Sequence, residues 1–144
     1  MNAFLPELSP EGIQECSRQL EGVLNSHTQW LARLYETIIC RLTPFPDDIA
    51  EDAHCRCHFG QWYHVSHHPA LSQVPEFIEI GEIHREMHQT ARRILCKAAK
   101  GEFIEKREYS ALLELAFSLR KHVYALDAGF SQELGYISKL ADNI

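Results

Sequence analysis

Nine histidines and five cysteines stand in this chain of 144 residues, and their spacing carries more information than their number. The stretch Cys57-His58-Phe59-Gly60-Gln61-Trp62-Tyr63 sets a thiol, an imidazole, a glycine and three aromatic rings within about two helical turns. Downstream, His84 and His88 are one turn apart, so a helix would present both imidazoles on one face. Upstream, His27 falls on the apolar stripe of a long periodic segment and therefore points inward, where an imidazole needs a partner. A lone inward histidine is more often a packed residue than a ligand, and HxxxH alone is a weak signal. Taken together, three imidazole nitrogens and one thiolate complete a tetrahedron. That donor set suits zinc, which is borderline-soft, has no redox chemistry and requires no carboxylate. Spacing thus leaves two readings of His27, Cys57, His84 and His88: the four ligands of a buried zinc site, or separate side chains satisfied by hydrogen bonds.

The elements that must position these groups follow from apolar periodicity. Ser9-Pro10-Glu11 starts a helix with a capping oxygen, proline at the first helical position and an acid in the first turn. Its stripe runs from Ile13 through Cys16, Leu20, His27 and Leu34 to Ile38, with an end near Arg41 before Thr43-Pro44-Phe45-Pro46. Residues 47–52 are acidic and irregular, or a weak helical turn. A short helix is expected over 53–65, ended by Ser66-His67-His68-Pro69. Gly60 inside it costs about 1 kcal/mol relative to alanine, which suggests a close helix–helix approach there. Pro75-Glu76 opens a third helix carrying Ile80, His84, Met87, His88 and Leu95 on one side, closed by Lys97, Lys100 and Gly101. A fourth begins near Glu105, is expected to break at Gly129, and gives way to a further helical stretch with Leu134, Ile137 and Leu140. The expected fold is all-α, an antiparallel four-helix bundle with one short additional or broken helix carrying the cysteine ligand. Residues 1–128 form the domain, and residues 129–144 form a helical linker.

The same residues carry a family resemblance. His27-Thr28-Gln29-Trp30 matches HxxW, Cys57 to Tyr63 matches Cx[LF]GxW plus an apolar residue, and His84 to His88 matches HxxxH. In this order and spacing the chain resembles the chemoreceptor zinc-binding (CZB) domains of bacterial signalling proteins, over roughly residues 13–126. The resemblance implies the same four zinc ligands.

The remaining thiols and imidazoles have blander readings. His58 occupies the variable position of the motif and is expected to point elsewhere. Cys55 invites a second thiolate, but no further CxC or CxxC completes a cysteine-rich site. His64, His67 and His68 are expected to be solvated or to cap a helix end, with adventitious metal as their only chemistry. Cys16, Cys40 and Cys96 fit as small packing residues. Trp30, Phe59 and Trp62 are expected to pack around the site and keep water out.

Four protein ligands leave no open position for a catalytic water, and HExxH, GxSxG and a glycine-rich phosphate loop are all absent from the sequence. No enzyme activity is expected of this chain. A hemerythrin-like di-iron oxygen binder is the rival, because His122 to Asp127 matches HxxxxD. It lacks HxxxE, and its one ExxH lies at Glu51 to His54. A metal-free interaction bundle is the third reading.

Bulk properties narrow the setting. The net charge of -6, with no concentration of Lys or Arg, argues against nucleic acid as a partner. The basic positions from Arg85 to Lys100 are expected to be a solvated helix face. No apolar run reaches the ~20 residues that span a bilayer, and residues 1–10 are too short and polar for a signal peptide. A cytoplasmic location with no membrane contact is expected. The resemblance implies a signalling output, either a chemoreceptor region or a GGDEF diguanylate cyclase domain. Residues 140–144 look like a linker cut before another domain, which favours the N-terminal regulatory domain of a cyclase acting as a homodimer. Zinc itself, or an oxidant such as hypochlorous acid attacking Cys57, would be the stimulus.

Overall fold

The computed structural model describes residues 8–142, with the side chains of 136–138, 140 and 141 left aside. Three long helices dominate: α1 (Pro10–Ile39), α5 (Pro75–Ala99) and α6 (Lys106–Asp142). Between α1 and α5 the chain forms three single-turn helices, α2 (Pro46–Ile49), α3 (Ala53–Arg56) and α4 (His58–Gln61). A π-helical turn (Trp62–Ser66) and a 3-10 turn (Pro69–Leu71) follow. No strand occurs among the described residues.

The expected helix signals operate. Ser9 Oγ accepts from the Gly12 amide at 3.0 Å, and Pro10 occupies the first turn of α1. At the other end Arg41 takes a left-handed φ of 53°, and the Leu42 amide returns to the Thr37 carbonyl at 3.0 Å. Helix α5 closes the same way with Gly101 at φ 71° and the Glu102 amide on the Lys97 carbonyl at 2.9 Å. Helix α6 opens with Glu108, whose carboxylate accepts from the Glu105 amide at 2.8 Å and from Lys97 Nζ at 2.9 Å.

Cross-helix contacts give the topology. Ser17 donates to Asp127 and Arg120 to Thr28, so α1 and α6 are antiparallel. Trp62 donates to Gln19 and His58 pairs with Ser26, so the segmented stretch 53–66 also runs against α1. Cys57 meets His84 and Tyr63 meets Phe77, so it runs against α5 as well. The result is a four-rod antiparallel bundle whose second rod is broken. Its core takes Ile13, Leu20 and Leu34 from α1, Ile80, Met87 and Ile94 from α5, and Leu112, Leu119 and Phe130 from α6, all essentially inaccessible.

Two expectations require correction. The helix expected over 53–65 is interrupted at Cys57, which is extended at φ -71°, ψ 163°. And α6 does not break at Gly129 but continues to Asp142. The reason is packing: Leu119, Val123, Leu126 and Phe130 hold one apolar stripe across the glycine, and burying it outweighs the ~1 kcal/mol propensity cost. The N-terminal stretch 1–7 and the last two residues of the expected linker lie outside the described residues. No helix among the described residues is long and apolar enough to cross a membrane.

Candidate metal centre

Each proposed ligand is delivered by local structure that the sequence makes legible to a different degree. His27 sits near the middle of α1, and His84 and His88 sit one turn apart on α5, all buried. Cys57 sits in the break between α3 and α4, where its Sγ accepts the Gly60 amide at 3.2 Å and so caps α4. Gly60 is required here because a Cβ would overlap the His54 carbonyl oxygen. The close approach expected at Gly60 is thus real, and its partner is the backbone of the preceding short helix. Tyr63 anchors the far end of the segment: its hydroxyl donates to the Phe77 carbonyl at 2.9 Å and its ring stacks on Phe77 at 4.4 Å. Gly81 makes room for that ring.

The four side chains converge. His27 Nε2 and His88 Nε2 approach to 3.3 Å, Cys57 Sγ and His84 Nε2 to 3.3 Å, and all four donor atoms lie within 4.8 Å of one another. A tetrahedral zinc, with Zn–N of about 2.0–2.1 Å and Zn–S of about 2.3 Å, has N···N edges of roughly 3.4 Å and N···S edges of roughly 3.6 Å. The two closest pairs, at 3.3 Å, match those edges to a few tenths of an ångström, and the 4.8 Å limit on the remaining pairs keeps all four donors around one ion-sized space. Hydrogen bonding leaves His88 Nε2 facing only the His27 imidazole, a contact that a shared metal would replace. His88 Nδ1 is buried with no partner in either case.

Electrostatics favour a cation-binding state. Burial lowers His27 to about 3; burial, with His27 and His54 nearby, lowers His88 to about 3. His84 is lowered still further, by burial first and then by His27 and His88. All three rings are neutral at pH 7, with no proton to displace from a coordinating nitrogen. Burial pushes Cys57 up to about 11, against the opposing effect of the Gly60 and Phe59 amides. A metal must therefore displace its thiol proton.

Around the donors, Trp30 packs against both His27 (4.7 Å between ring centroids) and His88 (4.2 Å), and Phe59 stacks on His84 at 4.5 Å. Trp30 is held by a residue that sequence reasoning passed over. Asp48, buried on α2, accepts from Trp30 Nε1 at 3.0 Å and from Arg33 at 3.2 Å. The available signal was the buried indole N–H on the His27 stripe, which has to find an acceptor.

Residues 27–95 match the family model of the chemoreceptor zinc-binding domain. This part of the chain belongs to that family. The matched residues begin at His27 and include Cys57, His84 and His88, so the chemoreceptor zinc-binding domain covers all four donors. It is a regulatory sensor domain and not a catalytic one, in line with a donor set that leaves no protein-free corner. Searches of curated proteins and of solved structures find no match to the chain.

The other candidates separate from this centre. His58 turns to Ser26 at 2.8 Å and is exposed. His122 bonds the Ser118 carbonyl at 2.8 Å and Asp127 accepts from Ser17, so the HxxxxD pair has local partners away from the donors. His67 pairs with Ser72 at 3.0 Å, and His68 caps the 3-10 turn by accepting the Ala70 amide at 3.1 Å. His67 closes the preceding π turn as expected, its amide donating to the Trp62 carbonyl at 2.8 Å, while His68 caps the following turn. Cys16 is buried as expected, whereas Cys40 is exposed at the end of α1, two residues beyond Ile38, the last buried residue of the stripe.

Proposed function

We propose that this chain is the zinc-responsive regulatory domain of a cytoplasmic signalling protein, with zinc held by His27, Cys57, His84 and His88. The observation that carries the reading is the convergence of four donors from three separate segments, α1, the α3–α4 break and α5. A metal bound there ties the broken rod to the two long helices, so its binding free energy becomes stability of that rod. Occupancy then biases the position of residues 53–66. The output in this reading is a C-terminal GGDEF diguanylate cyclase, working as a homodimer that brings two catalytic domains together, and zinc restrains it by rigidifying the bundle. Metal content by mass spectrometry, after dialysis that leaves only tightly held metal, tests the core of the proposal: about one zinc per chain is expected, falling to well below half in Cys57→Ala. A native chain purified without chelator and free of zinc would refute it. Cyclic di-GMP synthesis by the full-length protein, with and without zinc, tests the output.

One observation favours an oxidant as a second stimulus. Cys57 is the one donor that is not fully buried, and it lines a cleft of about 450 Å³ with Arg33, Arg56 and His58. Hypochlorous acid reaching that sulfur would oxidise the thiolate by two electrons to the sulfenic acid, releasing chloride and withdrawing a ligand. A Cys57→Ala variant that still responds to oxidant would exclude this route.

A further inference from the structure

A second cluster stands on the outer side of the broken rod. The donor atoms of His54, Cys55 and His64 all lie within 4.8 Å of one another. Helix α3 supplies the first two and the π turn supplies the third. The imidazoles meet edge to face, with centroids 5.7 Å apart. His54 and Cys55 are half-buried and His64 is exposed, so the group is open where the inner one is closed. It is also held in place: the Gln61 side chain donates to the Cys55 carbonyl at 2.8 Å, and the backbone of α4 packs against that of α3 at Gly60. The break at Cys57 turns one thiol of Cys55-x-Cys57 inward and leaves the other outside.

Two imidazoles and one thiol with a free solvent-facing corner make a three-ligand zinc site completed by water. No carboxylate belongs to the trio, which disfavours calcium and magnesium. The two clusters are close neighbours: a cleft of about 390 Å³ is walled by His54 from the outer one and His88 from the inner one, with Glu51, Arg92 and Arg93 beside them. A closed four-ligand site exchanges metal slowly unless an incoming or outgoing donor stands nearby.

We propose that His54, Cys55 and His64 form a surface zinc site that passes the ion to and from the buried centre. Zinc stays divalent throughout. One donor replaces another at each step: Cys55 gives up its proton to solvent as it takes the ion and regains one as it releases it, and the Cys57 proton leaves to solvent as its sulfur bonds the metal. The existence of the outer site is independent of the reading given above for the inner one; the hand-over rests on that reading.

The metal-free chain is titrated with zinc under native mass spectrometry and with cobalt(II) under absorption spectroscopy. Two equivalents are expected, the second at least roughly tenfold weaker. His54→Ala/His64→Ala should bind one equivalent at unchanged inner affinity. Cys57→Ala should keep one, with a thiolate-to-cobalt band that disappears when Cys55→Ser is added. The outer side chains are partly exposed, so these variants fold, as circular dichroism checks. A single equivalent in the intact chain that vanishes in Cys57→Ala overturns the outer site while leaving the inner one standing. A single equivalent lost instead in His54→Ala/His64→Ala upholds the outer site and removes the inner. For the hand-over, chelator should withdraw inner zinc roughly tenfold more slowly from His54→Ala/His64→Ala. An unchanged withdrawal rate overturns it.

Discussion

Three donors ride on long helices and the fourth on a chain break, and the centre inherits both kinds of support. His27, His84 and His88 are fixed by α1 and α5, whose apolar faces bury residues along 30 and 25 positions. Cys57 is fixed by two four-residue helices, one glycine contact and Tyr63. A helix of one turn has almost no stability of its own, so the segment depends on its tertiary attachments. The two sides should therefore fail under different stresses, acid acting on the histidine side and metal removal on the cysteine side.

Acid should produce the largest effect. The unfolded histidines titrate near 6.5, while the folded rings stay neutral to about 3 for His27 and His88 and lower for His84. Between those values the unfolded chain binds more protons, so stability falls as pH falls. Each histidine contributes a slope of up to about 1.4 kcal/mol per pH unit. Three such groups can consume the 5–15 kcal/mol or so that a domain of this size possesses. Urea unfolding of the metal-free chain at pH 7.5, 6 and 5 measures this. A flat stability profile would mean that the rings are protonated or exposed in the folded chain.

On the cysteine side, Gly60→Ala should destabilise by about 3 kcal/mol, because a methyl group displaces the His54 carbonyl and backbone has no rotamer to escape into. Gly22→Ala on α1 is the control. Nothing lies within 4 Å of its Cβ, and helix propensity should make it stabilising by about 0.5–1 kcal/mol. Equal effects at the two positions would show that the segment tolerates rearrangement and that the contrast is false.

The same contrast separates what was legible in the sequence from what was not. The long helices and their inward histidines follow from a period of 3.6, because burying a continuous stripe dominates the energetics of those elements. Gly129 misled for the same reason, since its local cost is small beside the burial of Phe130. The broken rod obeys other rules. Cys57 caps α4 with sulfur, which the usual oxygen-bearing capping residues do not foreshadow, and the π turn that carries His64 leaves no periodic trace. Asp48 was hidden inside an acidic run whose other members are solvated. Long elements are written in repeats. Short ones depend on single contacts that only folding assembles.

Metal removal should loosen the two sides unequally. In the metal-free chain, amide exchange over 53–66 should accelerate on the order of 100-fold, whereas the central amides of α1 and α5 should change less than about tenfold. Exchange mass spectrometry of zinc-loaded and metal-free protein reads both directly. Equal protection of 53–66 in the two states would remove the basis for a switch in that segment.

The smallest expected effect lies where the two sides are joined. Asp48 belongs to neither: it hangs on one-turn α2, yet its two carboxylate oxygens hold Trp30 and Arg33 of α1, and Arg92 of α5 binds the adjacent Ile49 carbonyl at 2.7 Å. Asp48→Ala leaves a buried indole N–H without an acceptor, costing about 1–3 kcal/mol, and frees the ring that packs against His27 and His88. Zinc affinity should fall roughly tenfold, the low end for groups that orient metal-binding side chains. Asp48→Asn keeps an acceptor for Trp30 and loses only the charge beside a half-exposed Arg33, so it should recover most of that affinity. If Asn is as damaging as Ala, the carboxylate acts through its charge on the site and not through the position of Trp30. Competition with a chromophoric zinc chelator distinguishes these outcomes.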